Sequence, residues 1–277
     1  MDAALSTARD KGILITGAGR GIGKRLAIGF ASAGGQVGLL ARSNAELDLA
    51  RLEIEHAGGR ALSLRADVRD FEQVRGAVEQ MRAAFGRVDV LVAAAAVQGP
   101  IGPFFEADPA KLAEVLETNL LGVMHACRAV LPAMIEHRSG KIIILAGGGA
   151  TQARPSFSAY AASKTALVRF AETVAEEVRD HNIQVNCISP GGTYTHMTDE
   201  ILQAGERAGS KDMNDAMQIR LTGGVPPEKQ IRLALFLASE NSNHVSGRLI
   251  HVNDDWKRLE HSNIHSEIYT LRRVQKL

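Results

Sequence analysis

The chain has 277 residues, 45% of them hydrophobic and 23% charged, a balance that suits one globular domain with a single large core. Its formal net charge of +1 supplies no global field for nucleic acid or for an acidic membrane surface, so neither is an expected partner. Cys127 and Cys187 are too few for a disulfide framework and lack metal-ligand spacing, no apolar run reads as a membrane span, and the polar N-terminus does not resemble a signal peptide, so a cytoplasmic protein without a metal is expected.

Short apolar runs alternate with helical periodicity, the pattern of βαβ units around a parallel sheet. A strand at Ile13 to Thr16 runs into Gly17, Gly19, Gly21 and Gly23, and then into a helix from Ile22 to about Ala33. A strand at Val37 to Ala41 precedes a helix from Ala45 to Ala57, which Gly58-Gly59 stops. Ala61 to Arg65 is the third strand, followed by a helix from Phe71 to Phe85. Val88 to Ala93 is the fourth, followed by a Gly/Pro loop and one long helix from Pro109 to His137. Lys141 to Leu145, the helix Ser158 to His181 and the strand Ile183 to Ile188 come next. After Pro190-Gly191-Gly192, residues 195–227 read as a polar, mobile segment. A helix from Glu228 to Ser239 and a last strand from Leu249 to Asn253 complete the pattern, and an extension, 254–277, follows. The expected fold is a single α/β domain, a doubly wound Rossmann-type parallel sheet of about seven strands with helices on both faces.

The glycine turn after the first strand carries the first chemical signal. Without Cβ atoms its backbone can lie against a diphosphate, and the N–H groups and dipole of the next helix favour that charge. The spacing is Thr16-Gly17-x-x-x-Gly21-x-Gly23, not the strict Gly-x-Gly-x-x-Gly. An acid at the end of the second strand would bond an adenosine ribose 2′-hydroxyl. Here Ala41 stands there and Arg42 follows, while Arg20 in the glycine turn adds a second guanidinium. Two planar cations suit a 2′-phosphate, so NADP(H) is favoured over NAD(H).

Tyr160 and Lys164 carry the second signal. Four residues apart at the start of a helix, they share a face. An ammonium beside a phenol lowers the phenol pKa from about 10, and such a phenol can pass a proton to or from a substrate oxygen. Asn119, midway along the long helix, is unfavourable there on propensity alone.

Together, Thr16 to Gly23, Asp67, Asn119, Tyr160, Lys164 and Pro190-Gly191 make the chain resemble the classical short-chain dehydrogenases/reductases from about Gly12 to Asn253. The resemblance implies an oxidoreductase that moves hydride between a nicotinamide cofactor and a small carbonyl or secondary-alcohol substrate. It implies that Tyr160 is the acid or base, and that Lys164 holds the nicotinamide ribose. Asn119 would distort its helix and hold a water in a proton relay with Lys164. The turn at Thr16, Gly17, Gly19, Arg20, Gly21, Ile22 and Gly23 would cradle the cofactor, Asp67 and Val68 its adenine, and Ala94 would border it. Pro190-Gly191 would pass behind the nicotinamide, with Thr195 or Thr193 supplying the following hydroxyl. The family also implies a substrate lid at about 195–227 and a homodimer or homotetramer built through the two long helices.

Two departures stand out. Thirteen residues before Tyr160, where the family usually has serine, stands Gly147, followed by Gly148 and Gly149. A backbone N–H of this loop, at Gly147 or Gly148, or the Thr151 hydroxyl is the expected substitute donor toward substrate. Ala93-Ala94-Ala95-Ala96 replaces the usual Asn-Asn-Ala-Gly, so hydrogen bonding around that loop must differ. Both departures favour one alternative, an NADP(H)-binding sensor or scaffold with little turnover. Gln152, Arg154 and His196 lie on segments that reach the substrate, Arg154 being read as solvated. His251, His261 and His265 lack the acids or cysteines of a metal site, and Trp256 is expected to anchor the extension on a neighbouring subunit or over the pocket.

Overall fold

Continuous apolar runs make strands that are covered on both faces. In the computed structural model, which describes residues 8–260 and 268–272, β1 (Gly12–Thr16), β4 (Val90–Ala93) and β5 (Gly140–Leu145) are buried at every position. With β2 (Gln36–Ala41), β3 (Arg60–Arg65), β6 (Ile183–Ser189) and β7 (Leu249–His251) they form one parallel sheet in the order β3-β2-β1-β4-β5-β6-β7. Ile15 pairs with Leu39 on one side and with Val92 on the other. The strand order therefore reverses at β1 and β4, and a crevice opens at the carboxyl ends of the strands there.

Alternate strand residues feed two cores. On one face Ile13, Ile15 and Leu39 pack with Leu26 and Phe30 of α1 (Gly21–Ser32) and with Leu233 and Phe236 of α9 (Pro227–Leu237). On the other, Leu14, Leu91 and Ile142 meet α3 (Phe71–Phe85), α5 (Gly122–His137) and α6 (Ser158–Glu177) through Met81, Val130 and Leu167. Ser43 caps α2 (Asn44–His56) by accepting from the Glu46 N–H at 3.3 Å, and Asp70 caps α3 by accepting from the Gln73 N–H at 3.1 Å. Burial pushes the thiols of Cys127 and Cys187 up to about 12, which makes both inert core residues.

The helix from Pro109 to His137 runs as α4 (Pro109–Leu116), a π turn (Glu117–Leu121) that holds Asn119, and α5. Three expectations need correction. This run is also long and apolar enough to cross a membrane, contrary to the sequence reading, although in the fold it packs on α3, α6 and the sheet. Residues 195–227 are largely helical: α7 (His196–Ala204), a 3₁₀ turn (Gly205–Ala208) and α8 (Ser210–Thr222). Ile201, Ala208 and Ala216 bury against Phe157 in a small core of their own, which gives this polar segment its order. Finally, the described part of the extension packs on its own chain. Trp256 stacks on Phe236 with ring centroids 5.3 Å apart, the Leu249 N–H donates to the Tyr269 carbonyl at 2.7 Å, and Arg272 pairs with Glu172 at 2.5 Å. His261 and His265 lie outside the described residues.

Lys141, at the start of β5, is 8% exposed. Its Nζ donates to Ser242 Oγ at 3.2 Å and to Asn243 Oδ1 at 2.7 Å. Burial, with the charge of Lys11 adding to it, pulls its pKa from 10.5 down to about 7. Between those values the unfolded chain binds the proton and the folded chain does not, so stability rises with pH across that window. Below about 7 the buried charge opposes folding in full. The unfolding free energy should gain up to about 1.4 kcal/mol per pH unit in the window from this group. Denaturant melts of the wild type and Lys141→Met check this: the variant should lose that slope, and parallel slopes would refute the assignment.

Candidate active site

The crevice is a cleft of about 900 Å³, lined by residues 19–23 of the glycine turn, Arg42, Asp67, Ala94, Tyr160, Lys164, Pro190 and Thr195. Gly17 has φ +68°, and a Cβ there would stand 2.7 Å from the Ala95 Cα, so the turn tolerates only glycine at this point. Unlike α2 and α3, α1 starts with no side-chain cap and no acid in its first turn. Its first N–H groups are left to the cleft.

The alanine loop after β4 is held from two sides. Thr16 Oγ1, buried at the end of β1, accepts from the N–H groups of Ala94 and Ala95, both at 3.1 Å. From the other side, the π turn delivers Asn119. Its Oδ1 accepts from the Val97 N–H at 2.8 Å, and its Nδ2 donates to the Val97 carbonyl at 3.0 Å and to Ser163 Oγ at 3.2 Å. Ser163 Oγ in turn donates to the Tyr160 carbonyl at 2.7 Å. The loop, which lacks both usual asparagines, is thus gripped along its backbone by two neighbours, and the second grip reaches the turn that carries Tyr160.

Tyr160 and Lys164 do share a face, but the lysine does not act on the phenol as expected. Lys164 is 2% exposed, and its Nζ donates to the Leu145 carbonyl at 2.9 Å, 5.5 Å from the Tyr160 ring centre. Burial lowers the lysine to about 8. Burial also raises the Tyr160 phenol above its usual value, with the Arg154 charge opposing, so the tyrosine is held protonated. A Cβ on Gly147 would lie 3.5 Å from Tyr160 Oη, which puts this glycine beside the phenol. At φ +134° a serine there would be strained.

The other expected residues divide. Thr195 lines the cleft and caps α7 in a reciprocal pair with Thr198. Thr193 is buried behind it, where its hydroxyl accepts from Gln230 Nε2 at 2.6 Å. Pro190 reaches the cleft, while Gly191, at φ +70°, packs under Val225. Asp67 and Val68 line the cleft, but Arg69 grips the Asp67 carboxylate at 2.6 Å and lowers its pKa. Arg20 lies 3.5 Å from Glu46, whereas Arg42 makes no hydrogen bond or ion pair among the described residues. Thr151 is exposed outside the cleft lining, and Gly148 faces Arg154. Arg154 is not solvated: it pairs with Asp212 at 2.7 Å and lies 3.9 Å from the Phe157 ring centre, tying α8 to α6.

Residues 11–206 match the short chain dehydrogenase family. The chain is 34% identical over 244 residues to oxidoreductase UcpA of Salmonella typhimurium, covering 86% of this chain and 90% of that protein. It is 32% identical over 246 residues to the 3-oxoacyl-[acyl-carrier-protein] reductase FabG of Thermotoga maritima, covering 87% and 95%. Among solved structures, an NAD+-bound xylitol dehydrogenase matches with a TM-score of 0.81 at 28% identity, over 88% of this chain and 98% of that one. A gluconate 5-dehydrogenase from Burkholderia cenocepacia, in complex with NADP and tartrate, matches with 0.79 at 28%, over 90% and 96%. The chain belongs to the short-chain dehydrogenase family.

As a short-chain dehydrogenase it is an oxidoreductase, and within that family three cleft residues escape a reading by motif. Arg25 Nη2 donates to the Tyr194 carbonyl at 3.1 Å, and its Nη1 is buried without a partner. Its place one turn after Gly21 is a signal that helical spacing could have supplied. Gln98 Nε2 and Glu200 Oε2, both lining the cleft, are also buried without partners. Nothing local in the sequence marks Gln98. Glu200 is marked only by its spacing of four from His196, which it meets at 3.4 Å.

Proposed function

We propose that this short-chain dehydrogenase is an NADP(H)-dependent reductase of a small carbonyl compound, working through Tyr160. The observation that carries the reading is Tyr160 Oη, which makes no hydrogen bond among the described residues. It stands beside Gly147 in a cleft that also holds the glycine turn and Lys164. The residues present fit a dinucleotide. The uncapped start of α1 and the buried, unpartnered Nη1 of Arg25 suit a diphosphate, and unpaired Arg42 suits a 2′-phosphate. Pro190, Thr195 and Lys164 would hold the nicotinamide end. Bound there, the cofactor supplies the hydride.

The chain's own residues supply the proton and the geometry. Tyr160, held protonated by burial, donates its phenolic proton to the substrate oxygen as charge builds on it. Lys164, fixed by the Leu145 carbonyl, places a cation beneath the site. Both N–H groups of the Asn119 amide are committed, so in this reading Asn119 positions Tyr160 and the loop through Ser163 and Val97 and does not carry the proton itself. A backbone N–H of the Gly147 loop takes the place of the usual serine.

Fluorescence titration with NADPH and NADH, followed by a carbonyl panel, tests the reading. NADPH should bind at least about tenfold tighter, and Arg42→Ala should erase most of that preference. Equal binding of the two would refute the 2′-phosphate assignment. Tight NADPH binding with no turnover on any carbonyl would favour the sensor reading, which the hydroxyl-free Gly147 supports.

A further inference from the structure

Two orphaned atoms at the lid side of the cleft differ in kind. Gln98 is only 3% exposed, yet its Nε2 has no hydrogen-bond partner. The Glu200 side chain is 36% exposed, but its Oε2 is shielded and unpartnered among the described residues, while its Oε1 faces His196 Nε2 at 3.4 Å. An unpaired buried donor or acceptor costs about 1–3 kcal/mol, so such pairs of orphans mark places where a ligand group belongs. The amide nitrogen can only donate, and the carboxylate oxygen can only accept. A hydroxyl group satisfies both.

The surroundings narrow the class. Glu200 and Val97 also line an adjoining cavity of about 450 Å³ beneath α7. Its other charges cancel within the protein: Arg207 pairs with Glu106 at 3.0 Å, Lys111 with Glu114 at 3.1 Å, and Asp108 Oδ1 accepts from the Ala110 N–H at 2.9 Å as the cap of α4. Among the described residues lining this adjoining cavity no unpaired cation is left, so an anionic substrate finds no counter-charge there. A hydrocarbon chain would offer neither orphan a partner. Resting on the hydride-transfer reading above, we propose that the substrate is a neutral polyhydroxylated carbonyl compound or its alcohol, of the ketose and alditol class. Gln98 Nε2 donates to one of its hydroxyls, and Glu200 Oε2 accepts from the same or a neighbouring one.

The full-length protein with NADPH is assayed on a ketose, on a hydroxyl-free ketone of the same chain length and on the matching 3-oxo acid. Calorimetry measures alditol binding to the protein saturated with NADP+. A site built to bond hydroxyls rejects analogues lacking them strongly, so kcat/KM should favour the ketose by at least about a hundredfold. Glu200→Gln and Gln98→Leu should each cut that ratio about tenfold, mostly through KM, with NADPH affinity unchanged in both. Preference for the plain ketone or the oxo acid would overturn the proposal. So would an equal loss of NADPH affinity in both variants, since the orphans would then serve the cofactor. Alditol binding without turnover on any carbonyl would keep the hydroxyl site and overturn hydride transfer. Turnover without hydroxyl preference would do the reverse.

Discussion

Replacing Tyr160 by phenylalanine should lower kcat by about a hundred- to ten-thousandfold, the usual contribution of a positioned proton donor. NADPH affinity should stay within about twofold. The variant isolates the chemistry because Oη has no hydrogen bond to lose among the described residues, while the ring keeps its packing beside Phe157 and Ile201. Steady-state rates, a cofactor titration and a melting curve on the same preparation check all three expectations. A rate within tenfold of wild type would remove Tyr160 from the proton path. Loss of both folding and binding would mean that the hydroxyl serves the structure rather than the proton transfer.

The second large effect is expected at Asn119. Alanine there strips the partner from the Val97 N–H and carbonyl and leaves Ser163 Oγ only its bond to the Tyr160 carbonyl. At about 1–3 kcal/mol for each buried group left unpaired, the two Val97 groups should cost about 2 kcal/mol or more. The π turn has less reason to persist once its side chain no longer bonds the loop. Turnover should fall further than stability alone dictates, because Tyr160 and the Ala94 loop are both placed through this amide and small displacements are costly in rate. Asn119→Asp keeps an acceptor for the Val97 N–H and loses the donors, so it should fall between the two. An unchanged denaturant midpoint for Asn119→Ala would refute the positioning role.

What the sequence could reveal follows from the range of the forces involved. The strands were legible because burial on both faces writes uninterrupted apolar runs such as Ile142 to Leu145. The glycine turn was legible because Gly17 stands against Ala95, where no side chain fits. The Tyr160 and Lys164 spacing was also plain, but its electrostatics were not: the lysine's direction is set by the Leu145 carbonyl, on another element. Arg154 looked solvated because its partner, Asp212, is 58 residues away. The order of α7 and α8 was not legible because their few buried residues pack on Phe157, far earlier in the chain. The grip of Arg69 on Asp67 was within reach, two residues along, but the resemblance directed attention to adenine instead.

The strand order also has a consequence for how the protein is made. β1 and β2 pair first, and β3 adds outside β2. Then β4, β5, β6 and β7 join one after another on the opposite side, each at the current rim. No strand has to wedge itself between two that are already paired, so a chain leaving the ribosome can grow its sheet outward in the order of synthesis. The last step closes the rim, when the Tyr269 carbonyl takes the Leu249 N–H at 2.7 Å. Tyr269, which follows β7 in the chain, therefore occupies a donor on the edge strand that another nascent chain could otherwise pair with.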